Sequence, residues 1–294
     1  MHKRAAAALT CAAFVGIGSV VPVLAAGPTT RTLYVTVVDA EGYSVPGLTP
    51  ADFAVIEGGK LRTITSVAPA SEKVRLALMV EQILVGHSYV RVALAEFVAR
   101  ACRSAEIALF TVSQRAEKLV DYTSDPKVLV DGIRNLPVGL TRQSGAVPDA
   151  IYEVAKQFEQ AKPARPAIVL AAIEQGQSTD NPDSVLSQIT KSKAQVWAVS
   201  LSIPGVSANP YTGRQQVFGR EQVIGDGSAQ SGGRRIPILA LPGFEDGLQQ
   251  VADDLENQYL ITYTLPDGVK PSDRVGVSLE KPGMVLRAPK RVPK

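Results

Sequence analysis

Four short apolar runs constrain this chain more than any other feature: Leu76–Val80, Ile107–Val112, Ala167–Ile173 and Val196–Leu201. They are nearly continuous rather than alternating, as strands buried on both faces must be. Helical patterns lie between them. Val90, Ala93, Leu94, Phe97, Val98 and Ala101 recur at helical spacing, and so do Ala146, Val147, Ala150, Ile151, Val154 and Phe158. Asp125-Pro126 and Asn181-Pro182 each set a capping residue before a proline at the first helical position. Ala116–Tyr122 reads as an antiparallel edge strand. Strand and helix in alternation predict an α/β fold, a doubly wound, mostly parallel sheet covered by helices on both faces.

The ends of the chain read differently. Thr32–Val38, Phe53–Glu57 and Leu61–Val67 are β-branched or aromatic-rich, and Gly58-Gly59 between the last two predicts a hairpin. Thr49 before Pro50 reads as a brief helical start. Toward the other end, a helix over Asp246–Asn257 is followed by strands at Tyr259–Leu265, Val275–Leu279 and Met284–Arg287. Either set alone would leave apolar strand edges exposed. The two ends are therefore expected to pair into one small β-module. This divides the chain into residues 27–73, an α/β domain over 74–257, and C-terminal strands over 258–294. Within the α/β domain, residues 204–235 are rich in Gly, Ser, Asn, Gln and Pro and are expected to form a long flexible loop.

Residues 1–26 have the layout of a signal peptide. His2, Lys3 and Arg4 precede a small-residue apolar stretch, and Val23-Leu24-Ala25-Ala26 offers a cleavage site. The expectation is export to the periplasm or the cell exterior, with no integral membrane span after cleavage. Loss of Lys3 and Arg4 from the 31 basic residues leaves 29 against 28 acidic ones, so the formal charge falls from +3 to +1. The pI of 8.8 is then no argument for a nucleic-acid partner. Of the two cysteines, only Cys102 remains after cleavage, which excludes an intrachain disulfide. It falls on an apolar helix face, where a buried, inert thiol is expected. Of the two histidines, only His87 remains, which excludes histidine-rich metal sites.

Several stretches resemble a known family, the von Willebrand factor A-related domain proteins exported by acidobacteria and similar bacteria. Residues 37–67, VVDAEGYSVPGLTPADFAVIEGGKLRTITSV, resemble the β-module that precedes the A domain in that family. VRLALMVEQ, residues 74–82, stands where the first A-domain strand runs into its metal loop. Residues 243–268, GFEDGLQQVADDLENQYLITYTLPDG, resemble the closing helix and following strand, and PGMVLRAPK, residues 282–290, the terminal strand. The resemblance covers nearly all of the chain after residue 26.

It implies a divalent metal such as Mg²⁺ at the C-terminal edge of the sheet, held by Asp-x-Ser-x-Ser, a Thr and a second Asp. A hard cation needs such oxygen donors. This chain departs from the pattern. Glu81 stands at the first Asp position, Ile83 and Val85 at the two Ser positions, and Ala172 and Ile173 near the second Asp, with Glu174 beside them. Thr141 matches the Thr. The expectation is a degenerate site without a metal or other cofactor. Glu81, Gln82, Ile83, Leu84, Val85, Thr141 and Glu174 would form a protein-contact edge on a non-enzymatic module, with Ile83, Leu84 and Val85 exposed.

Two alternatives have other chemistry. One is metal-dependent adhesion through Glu81 and Thr141, with Glu174 as a further ligand. The other is a serine hydrolase using Ser88 and His87, although Ser88 suits the cap of the helix starting at Tyr89 and no Gly-x-Ser-x-Gly elbow is present. Asp253, Asp254 and Glu256 read as the solvated face of their helix. Residues 281–294 read as a basic, solvated tail.

Overall fold

The computed structural model describes residues 28–137, 146–174, 176, 179, 181–202 and 219–294. Its first sheet has the order β6-β5-β4-β7-β8-β9. These strands are β4 (Val74–Glu81), β5 (Ala105–Val112), β6 (Ala116–Thr123), β7 (Pro166–Ile173), β8 (Gln195–Leu201) and β9 (Arg234–Ile238). All neighbours are parallel except β6, which runs antiparallel to β5 at the edge.

Alternate residues along each strand enter two separate cores. Leu76, Leu78 and Val80 of β4 face one layer, with Trp197, Val199, Val90 and Phe97. Ala77 and Met79 face the other, with Phe110, Leu170, Ile151 and Phe158. The near-continuous apolar runs follow from this two-sided burial. The first layer is covered by α1 (Ser88–Ala101), α2 (Pro126–Arg134) and α6 (Gly243–Glu256). The second is covered by α3 (Val147–Ala161) and α4 (Pro182–Ser192). Asp125 and Asn181 cap α2 and α4, accepting from the Lys127 and Ser184 amides. Cys102 is buried after the end of α1, and burial pushes its thiol pKa up, with Asp125 adding to the shift.

The second sheet is antiparallel, in the order β11-β2-β3-β10-β1-β12. It consists of β1 (Thr29–Val38), β2 (Phe53–Glu57), β3 (Lys60–Pro69), β10 (Tyr259–Leu265), β11 (Val275–Leu279) and β12 (Val285–Arg287). β10 lies between β1 and β3, and β11 pairs with β2, so strands from both ends of the chain build one module. Leu33, Val35, Val55, Ile261 and Tyr263 fill its core. Glu57, fully buried there, accepts from Tyr263 Oη at 2.6 Å, Arg31 Nη1 at 3.0 Å and the Ser272 amide at 2.8 Å.

The expected loop over 204–235 is corrected in its second half. Helix starts at residues 219–221, continues as a π-helical turn over Gln222–Asp226 and as α5 (Gly227–Ser231), and then leads into β9. Val223 and Ile224 are buried in the second core, which supplies the stability that composition alone does not advertise. Residues 203–218 lie outside the described residues.

Gly232-Gly233 makes the turn into β9. Gly232 has φ +88°, and a Cβ on Gly233 would stand 2.0 Å from the Val196 carbonyl oxygen. Gly233→Ala must therefore push β9 off β8. It is expected to lower unfolding free energy by about 1–3 kcal/mol, read as a lower urea midpoint at unchanged slope.

Candidate functional site

The chain runs from β4 to its neighbour β5 on one side, then to β7 on the other. The connections leaving β4 and β7 diverge, which opens a crevice at the carboxyl ends of these two strands. Doubly wound sheets bind ligands at such a switch point. Glu81 ends β4 and Ile173 ends β7, so both stand in this crevice.

Glu81 is fully buried. Its Oε2 accepts from the Ile173 amide at 2.9 Å and from Arg220 Nη2 at 2.8 Å. The same Arg220 nitrogen donates to the Ile173 carbonyl at 2.7 Å. Arg220 is 1% exposed and reaches the crevice from the helical start at residues 219–221. Beside it, Glu174 accepts from Arg235, which also bonds Glu221 and, through Nε, Ser200 Oγ at 3.1 Å. Burial pulls the Arg235 guanidinium down, but its bonds to Glu174 and Glu221 more than offset this and hold its pKa above the ordinary value.

These contacts decide whether the residues fit a hard divalent cation. Ile83 and Val85 carry no side-chain donor, Glu81 is engaged by Arg220 and a backbone amide, and Glu174 is engaged by Arg235. Among the described residues, the donor set does not fit. Among the described residues, no group of three or more His, Cys, Asp or Glu is placed to hold a metal. Thr141 lies outside the described residues.

The expected exposure of the loop after Glu81 is corrected. Gln82–Leu84 forms a single 3₁₀ turn, which rolls Leu84 and Val85 into the first core at 1% and 0% exposure. Ile83 is half-buried against the same core. Among the described residues, this edge exposes His87, Ser88 and Tyr89 at the start of α1 and Leu239 just after β9. Ser88 opens α1 and His87 takes the cap position, without a side-chain capping bond.

Sequence reading also missed a polar seam between the two sheets. Asp254, expected on a solvated face, is 2% exposed. Its Oδ2 accepts from Trp197 Nε1 at 3.2 Å and Arg234 Nε at 2.8 Å, and its Oδ1 from Arg287 Nη1 at 3.1 Å. Residues 281–294 are correspondingly not a free tail, since Arg287 of β12 is anchored here and Val292 is buried. Nearby, Arg165 donates to Gln258 Oε1, Gln258 donates to Gln195 and Thr36, and Gln195 donates to the Tyr34 carbonyl. Burial pulls the Arg165 guanidinium down to about 10. The only sequence signal for this seam was an Asp beside an apolar stripe.

No protein-family model and no curated protein matches the chain. Solved structures do. A von Willebrand factor type A protein from Catenulispora acidiphila aligns with a TM-score of 0.48 at 10% identity, over 90% of this chain and 73% of that one. The von Willebrand factor domain of the type V pili tip protein Mfa5 from Porphyromonas gingivalis aligns with a TM-score of 0.47 at 8% identity, over 63% and 96%. The conserved hypothetical protein BatB from Bacteroides thetaiotaomicron aligns with a TM-score of 0.45 at 13% identity, over 63% and 100%. At TM-scores below 0.5 and identities this low, these likenesses transfer nothing to the chain.

Asp254→Asn weakens three bonds to a charged acceptor at once. It is expected to cost about 1–3 kcal/mol, seen as a lower denaturation midpoint by fluorescence of Trp197, the single tryptophan of the chain.

Proposed function

We propose that this chain is an exported, non-enzymatic protein-binding module of von Willebrand factor A type, which meets its partner at the carboxyl edge of the parallel sheet without a metal. The observation that carries this is the pairing of exposed apolar side chains with a neutralised carboxylate at that edge. Tyr89 is 59% exposed and Leu239 is 79% exposed, while Glu81 is already paired with Arg220. The strands leading to both exposed residues are parallel, so both stand at the same edge of the sheet. Exposed aromatic and apolar groups rimmed by polar ones are what protein interfaces use.

Contact through Gln82 and Ile83 fits this edge. Leu84, Val85 and Glu81 support it from beneath, and Glu174 stands alongside, tied to Arg235. No helix among the described residues is long and apolar enough to cross a membrane. Export rests on residues 1–26, which precede the described residues.

Two experiments test this. Partners captured from native envelope extract by the wild type are identified and rebound as purified proteins. Tyr89→Asp/Leu239→Asp is expected to reduce affinity at least tenfold, with folding unchanged by circular dichroism. Equal affinity would sink the edge as the contact surface. Separately, the protein recovered from the exporting host is expected to begin at Gly27 by amino-terminal sequencing, and a retained residue 1 would remove cleavage from the proposal.

A further inference from the structure

We infer that the chain carries a second contact surface, a basic crevice between the α/β domain and the β-module, and that this crevice takes an extended acidic segment of a partner protein as an added strand on β11. The surface is separate from the edge that carries Tyr89 and Leu239, so its test leaves that edge untouched.

The crevice has a volume of about 1220 Å³. Residues of α5 and the start of β9 form one wall, and residues of β11 and β12, the two outermost strands of the antiparallel sheet, form the other. Among the described residues, six cationic ones line it, Arg234, Arg235, Arg274, Arg287, Lys290 and Arg291, against one acidic residue, Asp226. Asp254 holds Arg234 and Arg287, and Glu174 and Glu221 hold Arg235. Arg291 lies 3.8 Å from Asp273. Arg274 and Lys290 are exposed and enter no ion pair among the described residues. A patch of one sign selects a partner of the other.

The backbone of β11 says how that partner would lie. β11 pairs with β2 on one side only. The Glu280 amide donates to the Asp52 carbonyl at 2.9 Å, and the Val275 amide to the Lys290 carbonyl at 3.2 Å. Backbone groups alternate in direction along an antiparallel strand, so the even-numbered residues turn toward β2 and the odd-numbered ones turn outward. Residues 290–292 take up the first outward groups, with the Val292 amide donating to the Asp273 carbonyl at 3.0 Å. The pairing then stops, because the Lys290 amide turns away to the Gln230 carbonyl on α5 at 2.8 Å. Val277 is the next outward residue, and it borders the crevice. Strand addition to such an edge takes affinity from main-chain hydrogen bonds and specificity from the side chains alongside, which here are cationic. Among the described residues, no aromatic side chain lines the crevice, so it offers no stacking platform for nucleic-acid bases.

The test is fluorescence anisotropy at low ionic strength with labelled probes: a Glu-Thr repeat peptide of about ten residues, the same peptide N-methylated at every amide, and oligo-dT of similar length. The Glu-Thr repeat is expected to bind. The methylated peptide keeps the charge but lacks the amide donors, and is expected to bind about tenfold more weakly or less. Oligo-dT is expected to bind more weakly than the Glu-Thr repeat. Arg274→Glu/Lys290→Glu is expected to weaken Glu-Thr binding about tenfold, with the circular dichroism of wild type. If that variant does not fold, Arg274→Ala/Lys290→Ala carries the same comparison. No binding of the Glu-Thr repeat, equal binding of the two peptides, tighter binding of oligo-dT, or unchanged affinity in the folded variant would each overturn the inference.

Discussion

A carboxylate at the centre of a parallel sheet must be neutralised, and the way Glu81 meets that demand organises the carboxyl edge of this protein. The strand before it is buried on both faces, so water cannot reach the side chain from below. Arg220 provides the charge and bonds the end of β7 as well as the end of β4. One guanidinium thus ties together two strands and the helical segment before β9. The 3₁₀ turn after Glu81 then directs Leu84 and Val85 inward, and among the described residues the start of α1 and Leu239 are exposed at this edge. Among the described residues, Glu81, Leu84 and Val85 lie buried beneath this edge, while Tyr89 and Leu239 are exposed.

The second demand is the joint between the two sheets. The apolar cores of the two sheets are separate, and a set of buried polar side chains lies between the sheets. Asp254 gathers Trp197, Arg234 and Arg287, while Arg165, Gln258 and Gln195 form a chain of amide and guanidinium bonds beside it. Buried polar groups of this kind are costly unless each is satisfied. Their satisfaction requires strands from both sheets in one arrangement, which fixes the β-module against the α/β domain more specifically than apolar contact would.

Much of the fold was legible in the residues. Continuous apolar runs meant two-sided burial, because alternate side chains of one strand must both find a core. Cap-proline pairs at Asp125 and Asn181 marked helix starts, because they act through local backbone geometry. The stretch from 219 to 238 was not legible. Its glycines and polar residues look like a loop, yet Gly233 is there because the Val196 carbonyl leaves no room for a Cβ. Nor was the fate of Asp254, since helix periodicity does not reveal that another sheet covers the polar flank.

The amino-acid sequence by itself determined the layered α/β architecture and the pairing of the chain's two ends. These follow from periodicity, turn chemistry and side-chain composition, all of which act over short distances. Only the tertiary structure decided that Glu81 is paired with Arg220, that Leu84 and Val85 face inward, and that Tyr89 and Leu239 share one exposed edge. Those outcomes depend on contacts between residues far apart in the chain, and a buried charge selects its partner by position in space, which one sequence does not reveal.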